Sequence, residues 1–289
     1  MIADLSRVRV SDNDEEEKMI YPFKLGIHAA VVTFLLMSNA LHAETKPITC
    51  NLCDLRYQTF TGRNLNGSSF EGSYLFNTEW QRASLIGTNF SSANLVLSKF
   101  NRADLTKANF TKADLTGAAF YGATLRGANL RFAKFTDANL DAAELTDADL
   151  TTANLSGAVL TRSFSNRAVI RSADLRSANL SQGNFRKAEF IGSNMSRAIL
   201  SGASLTFARL SRANLSGANL SGADLSYADL SDCNLTDADL TGANLLGANL
   251  KHANFTRANL TGVTLSSALK FETIFCKARM PTGFTGRCE

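Results

Sequence analysis

From Leu55 to Leu265 every fifth residue is a large apolar side chain, with Ser165 the single polar exception among 43 positions. Twenty-nine are Leu and ten are Phe, and Trp80, Ile170 and Met195 complete the set. Two residues before each there is usually a small residue, Ala in 30 of the 43. A period of five matches neither the helix nor the continuous strand, so the pattern specifies a repeat architecture. In Ala218-Asn219-Leu220-Ser221-Gly222, Ala218 and Leu220 point inward and Asn219 and Ser221 outward, as in a short strand. The fifth residue, often Gly (87, 117, 157, 202, 217, 222, 242), admits the positive φ of a corner. Four such units return the chain to its starting edge after about 20 residues, and successive coils pair as parallel strands about 4.8 Å apart. The spacing predicts an all-β, four-sided solenoid.

Two regions depart from the pattern. In Leu160-Thr161-Arg162-Ser163-Phe164-Ser165-Asn166 the large residue falls one place early, and the frame resumes at Ile170. A local bulge or repacked corner is expected there. Gln58 and Arg63 stand where Ala is expected inside, so residues 48–70 are read as containing the cap that a solenoid end needs. The three prolines, at 22, 47 and 281, all lie outside the array, which favours one continuous domain over 55–265.

Runs such as Ala213-Asn214-Leu215-Ser216-Gly217 and Ala223-Asp224-Leu225-Ser226-Tyr227 resemble the pentapeptide-repeat family, whose consensus is Ala-(Asp/Asn)-Leu-X-X. The resemblance covers the whole array and implies a right-handed quadrilateral parallel β-helix of about 10–11 coils with capped ends. Phe275-Cys276, Met280-Pro281-x-Gly283 and the closing Cys288 resemble an ending seen in many bacterial members.

The N-terminus reads as an export signal. Lys24 precedes an apolar run, Leu25 to Met37, which ends in small residues with cleavage expected after Ala40 or Ala43. The run is shorter than the roughly 18–20 residues of a membrane span, so a cleaved signal is favoured over an uncleaved anchor. The acidic block Asp12–Glu17 is foreign to such a signal, whereas a start at Met19 gives a normal one. Residues 1–18 therefore read as an over-extended start, with a short disordered tail as the alternative. The expected organisation is 1–43 extension and signal, 44–54 N-terminal cap segment, 55–265 repeat, and 266–289 C-terminal cap. Four basic and six acidic residues precede 44, leaving 26 and 20, a net charge of +6. The expected location is the periplasm or the extracellular space, with no transmembrane span after processing.

Cys233 occupies an inward Ala-type position and reads as core. Cys50, Cys53, Cys276 and Cys288 bracket the array and, in an exported chain, invite disulfides. Of the three pairings that four cysteines allow, Cys50–Cys53 with Cys276–Cys288 is the simplest. Closing the second loop would stabilise the end by about 3 kcal/mol. A redox Cys-x-x-Cys or a zinc site competes with this reading. The first wants a helix N-terminus and the second further ligands, and His252 is the only His after the signal.

No catalytic constellation accompanies His252, and no phosphate loop interrupts the five-residue frame. The carboxylates fall mainly at the Asp/Asn position (104, 114, 149, 174, 224, 229, 239), which points to turn and backbone hydrogen bonding. No enzyme activity, cofactor or metal is expected. Residues 20 apart stack into surface stripes: Arg82, Arg102, Gly122, Ala142, Arg162 in one; Lys107, Gly127, Asp147, Arg167, Lys187, Phe207, Tyr227 in another. Arg162, Arg167, Arg171, Arg176, Arg186 and Lys187, with Phe207 and Tyr227, form the candidate binding patch, set against a plain solvated surface. Phe76, Ile86, Phe132 and Leu246 could mark self-association.

The function these features favour is a non-enzymatic exported scaffold or interaction module with a protein partner. Association of the basic patch with an anionic envelope surface is an alternative. Some pentapeptide-repeat proteins resemble duplex DNA in size and negative charge and protect topoisomerases. A net positive, exported chain argues against that reading, and scattered basic groups argue against nucleic-acid binding.

Overall fold

The structure is a computed structural model describing residues 9–10, 47–281 and 285–288. The segment expected to direct export, the two expected cleavage points and Gly283 lie outside the described residues.

Every fifth residue from Thr49 to Asn259 forms a parallel bridge with the residue 20 positions later. The chain is therefore a right-handed quadrilateral β-helix, one short strand per wall. The ladder runs from Thr49 to Arg279, 230 residues or 11.5 turns of 20, a rod about 55 Å long at about 4.8 Å per coil. It extends past the hydrophobic array at both ends. We number the walls by their central residues: first (Leu55, Leu75), second (Phe60, Trp80), third (Leu65, Leu85) and fourth (Phe70, Phe90).

The repeat unit accounts for its own backbone donors, as buried peptide groups require. In Ala213–Gly217, the Ala213 N–H closes the corner on Leu210 O (2.9 Å), Asn214 N–H bonds down to Ser193 O, and Leu215 and Gly217 bond up to Asn234 and Thr236. The fifth donor, Ser216 N–H, has no backbone acceptor and is taken by Asn214 Oδ1 at 3.1 Å. This Asx bond is the physical reason for Asp or Asn in the consensus. It recurs at Asp104, Asp114, Asp149, Asp224, Asp229 and Asp239.

The last residue of every corner from 52 to 277 has φ between 51° and 70°, whether or not it is Gly. With the backbone bond that closes most corners, this is the type II pattern; at Cys53, Thr78 and Ala173 the N–H goes to a Ser hydroxyl one coil above. A non-Gly residue there is strained by about 1–2 kcal/mol, and the ladder bonds on either side hold it.

Inside, the apolar centres and Ala residues are almost all fully buried. The N-terminal coils carry two ring ladders. Phe60, Trp80, Phe100 and Phe120 stack along the second wall with interplanar angles of 14° or less, and Phe70, Phe90 and Phe110 along the fourth. The two ladders meet edge to face, as ring quadrupoles favour. Several hydroxyls and a thiol that replace Ala donate to the centre carbonyl 23 residues earlier: Ser73 to Cys50 (2.6 Å), Ser98 to Leu75 (2.8 Å), Cys233 to Leu210 (2.9 Å).

Of the bulge or repacked corner expected at 160–166, neither is present: the corner closes normally, Ser163 N–H on Leu160 O at 3.2 Å with Arg162 at φ 54°. Phe164 keeps its bridges to Glu144 and Asn184 and points outward, 53% exposed, while Ser163 and Ser165 are fully buried. The ladder bonds fix the register more strongly than one misplaced side chain can shift it. Gly183, on the next coil, leaves room for Phe185: a Cβ at 183 would lie 2.5 Å from its ring.

At the N-terminal end Cys50 and Cys53 form a disulfide across the first corner, and Gln58 and Arg63 are half-exposed over the core. Ile48–Thr49 pairs antiparallel with Arg9–Val10. At the other end Cys276 is joined to Cys288, and Thr285 pairs antiparallel with Arg279. Gly286 bonds to Ala278 O (2.7 Å) and Lys277 N–H (3.0 Å), so close to Phe275 O that no side chain fits.

Candidate interaction surface

The buried groups carry no exposed chemistry. Burial pushes the Cys233 thiol up to about 12, so it stays protonated and donates to a carbonyl. His252 sits at a corner between Asp232 (3.1 Å) and Glu272 (3.1 Å) as a rung of a charged ladder. Among the described residues no group of three or more His, Cys, Asp or Glu could hold a metal ion. No described helix is long and apolar enough to cross a membrane.

The eight residues of the candidate patch do not form one surface. The 20-residue register places Arg162 at the second–third corner, Arg171 at the fourth–first and Arg176 at the first–second. Arg167, Arg186, Lys187, Phe207 and Tyr227 share the third–fourth corner. Several of the cations are also neutralised. Arg162 pairs with Asp141, Arg171 with Glu189, Arg176 with Asp174 (2.6 Å) and Arg167 with Asp147 (2.6 Å). The guanidinium hydrogen bonds hold Asp141, Asp147 and Asp174 below the usual carboxylate range. Being exposed, such pairs contribute little stability.

What the third–fourth corner does present is aromatic. Phe207 and Tyr227 stack with centroids 5.2 Å apart and planes at 11°, and stay 43% and 52% exposed. The Arg186 guanidinium lies over Phe207, 5.1 Å from the ring centre. Tyr227 lies over Gly247, where a Cβ would sit 2.7 Å from the ring, so the glycine makes room for it. Lys187 stands one coil below Phe207, and Arg167 one coil further.

A second aromatic site escaped the sequence reading. Tyr57 and Phe76 meet edge to face at 5.5 Å near the N-terminal end, with Tyr74 and Leu97 exposed nearby in the register. The signal was available: residues 19 apart meet across a corner. Phe76, Ile86, Phe132 and Leu246 share no single corner, and Arg131 lies over the Phe132 ring at 5.6 Å. A polar cleft of about 360 Å³ lies at the first–second corner, lined by Arg176, Ser177, Ser196, Arg197 and Ser216.

The family description "Pentapeptide repeats" matches in eight copies, within residues 53–162 and 168–269. Among solved structures, HetL of the cyanobacterium Nostoc sp., described as involved in heterocyst differentiation regulation, is similar at 30% identity. The match covers 81% of this chain and 92% of that one, with TM-score 0.46. QnrB1, a plasmid-mediated fluoroquinolone resistance protein, is similar at 22% identity over 76% of this chain and 91% of that one, with TM-score 0.36. A pentapeptide repeat protein of the Arabidopsis thaliana thylakoid lumen is similar at 33% identity over 40% of this chain and 68% of that one, with TM-score 0.14. No curated protein matches the chain.

Proposed function

The chain belongs to the pentapeptide-repeat family, and on that premise we propose that it is a non-enzymatic, exported scaffold that binds a protein partner through its third–fourth corner. The observation that carries this reading is the exposed Phe207–Tyr227 stack with Arg186 against it. Aromatic side chains beside Arg are the groups most often dominant in protein interfaces. The stack is also pre-ordered, so binding forfeits little side-chain entropy there. The periodic Asp, Asn, Gly and Ala residues are occupied with the rod itself.

Export is supported by the apolar run Leu25–Met37 with its small-residue end, and by two disulfides that suit an oxidising compartment. Replacing Arg167, Lys187 and Tyr227 together by Ala tests the corner. Affinity recovery from a periplasmic extract should yield a partner with the wild-type chain and lose it with the triple variant at unchanged thermal midpoint. Equal recovery by both chains contradicts the assignment. N-terminal sequencing of the periplasmic form should start at residue 41 or 44. An intact N-terminus in the cytosol contradicts export.

A further inference from the structure

We propose that the second–third corner holds a binding site for a phosphate group, formed by Arg82 and Arg102 with the side-chain amides of Gln81 and Asn101. Charged neighbours stacked at the corners are otherwise complementary or neutralised. Arg167 rests on Asp147, Arg257 on Asp237, and His252 lies between Asp232 and Glu272. Lys187 and Lys277 follow Arg167 and Arg257, which are already paired. Arg82 and Arg102 differ: they are like-charged corner neighbours one coil apart, both exposed, and neither forms an ion pair among the described residues. Of the carboxylates that the register sets on the adjoining walls of these two coils, Glu79 is paired with Lys99 (2.8 Å) and Asp104 accepts the Thr106 hydroxyl (2.6 Å).

The amides beside them are oriented as donors. Gln81 Oε1 accepts the Thr61 hydroxyl at 3.0 Å, and Asn101 Oδ1 accepts the Tyr121 N–H at 3.0 Å. Each oxygen is thereby tied to the rod, leaving Nε2 of Gln81 and Nδ2 of Asn101 with their protons available. Gly62 below and Gly122 above bound the column with no side chain. Two guanidinia and two amide nitrogens thus line a short stretch of surface. At about 4.8 Å per coil, one tetrahedral oxyanion spans adjacent rungs, with forked N–H groups matching its oxygens. The bound dianion would also remove the repulsion between the two arginines.

The test uses the full chain with two probes: inorganic phosphate followed by calorimetry, and vesicles of phosphatidylcholine with or without phosphatidic acid. The variant is R82G/R102G, which places Gly at two positive-φ corners and so keeps the fold. Phosphate should bind saturably and raise the thermal midpoint, and the Gly variant should bind about tenfold more weakly or worse. R82K/R102K, which keeps charge without the fork, should fall between. Binding to phosphatidic acid vesicles alone, lost in the same Gly variant, supports the site with a lipid headgroup as its source. No saturable binding of either probe by the wild-type chain, or undiminished binding by R82G/R102G, overturns the proposal.

Discussion

Asn184 Oδ1 accepts the backbone N–H of Arg186 at 3.2 Å, the amide that the 20-residue register sets one coil above Asn166. Elsewhere an Asn in the Asn166 position caps the amide one coil above: Asn51 for Glu71, Asn66 for Ile86 and Asn101 for Tyr121. In those three units the residue before the centre is Ser or Ala, so no Asx acceptor competes. At Arg186 both acceptors are present, and Asn166 Oδ1 is left buried without a partner among the described residues. An orphaned acceptor costs about 1–3 kcal/mol. Asn166→Ser should therefore be neutral or stabilising by about 1 kcal/mol. Asn184→Ser should be near neutral, because Asn166 takes over the amide. By contrast, Asn214→Ala, which uncaps Ser216, should destabilise by about 1 kcal/mol. Denaturant midpoints of the three variants check this; equal losses at 184 and 214 would contradict it.

The Gly183–Phe185 contact predicts a coupled pair. Gly183→Ala drives a methyl into the Phe185 ring and should destabilise by about 1–3 kcal/mol. Phe185→Leu alone should also destabilise, through lost burial. Combined with it, Gly183→Ala should become nearly silent, because both residues then match the common Ala and Leu of the repeat. A double-mutant cycle measures the coupling, and simple additivity would show that the ring does not need the glycine.

Acid sensitivity has a defined sign. Hydrogen bonds from the guanidinium groups of Arg56, Arg162, Arg167, Arg176 and Arg257 lower Asp54, Asp141, Asp147, Asp174 and Asp237. A carboxylate lowered on folding adds stability that is fully present above its unfolded value, about 3.9. That stability is lost as pH falls through the folded value. The thermal midpoint should be flat from pH 7 to about pH 5 and fall only below about pH 4. A midpoint that declines between pH 7 and pH 5 would show that other groups dominate. Salt should shrink the acid response, since these pairs are solvent-exposed.

Much of this architecture can be read in the chain because the side-chain code and the backbone code share one period. Leu220, Ala218 and the Asx residue at 219 each report a wall, a core layer or a corner amide. Phe164 misled because its position in the sequence competes with ladder bonds whose strength the sequence does not display. The scattering of Arg162, Arg171 and Arg176 over three corners was also legible, since residues 5 or 10 apart fall at different corners of a 20-residue coil. Grouping them by closeness along the chain obscured it. The competition at Arg186 was harder to foresee, because it depends on which of two acceptors reaches one N–H.

The central claim is that the corner bearing Phe207 and Tyr227 meets the protein partner. A photo-crosslinking residue placed at Tyr227, and in a second chain at Gly217 on the opposite corner, tests it within intact cells. The account predicts one discrete crosslinked species from position 227, absent from position 217. Equal crosslinking from both positions, or none from 227 in cells that export the chain, would contradict it.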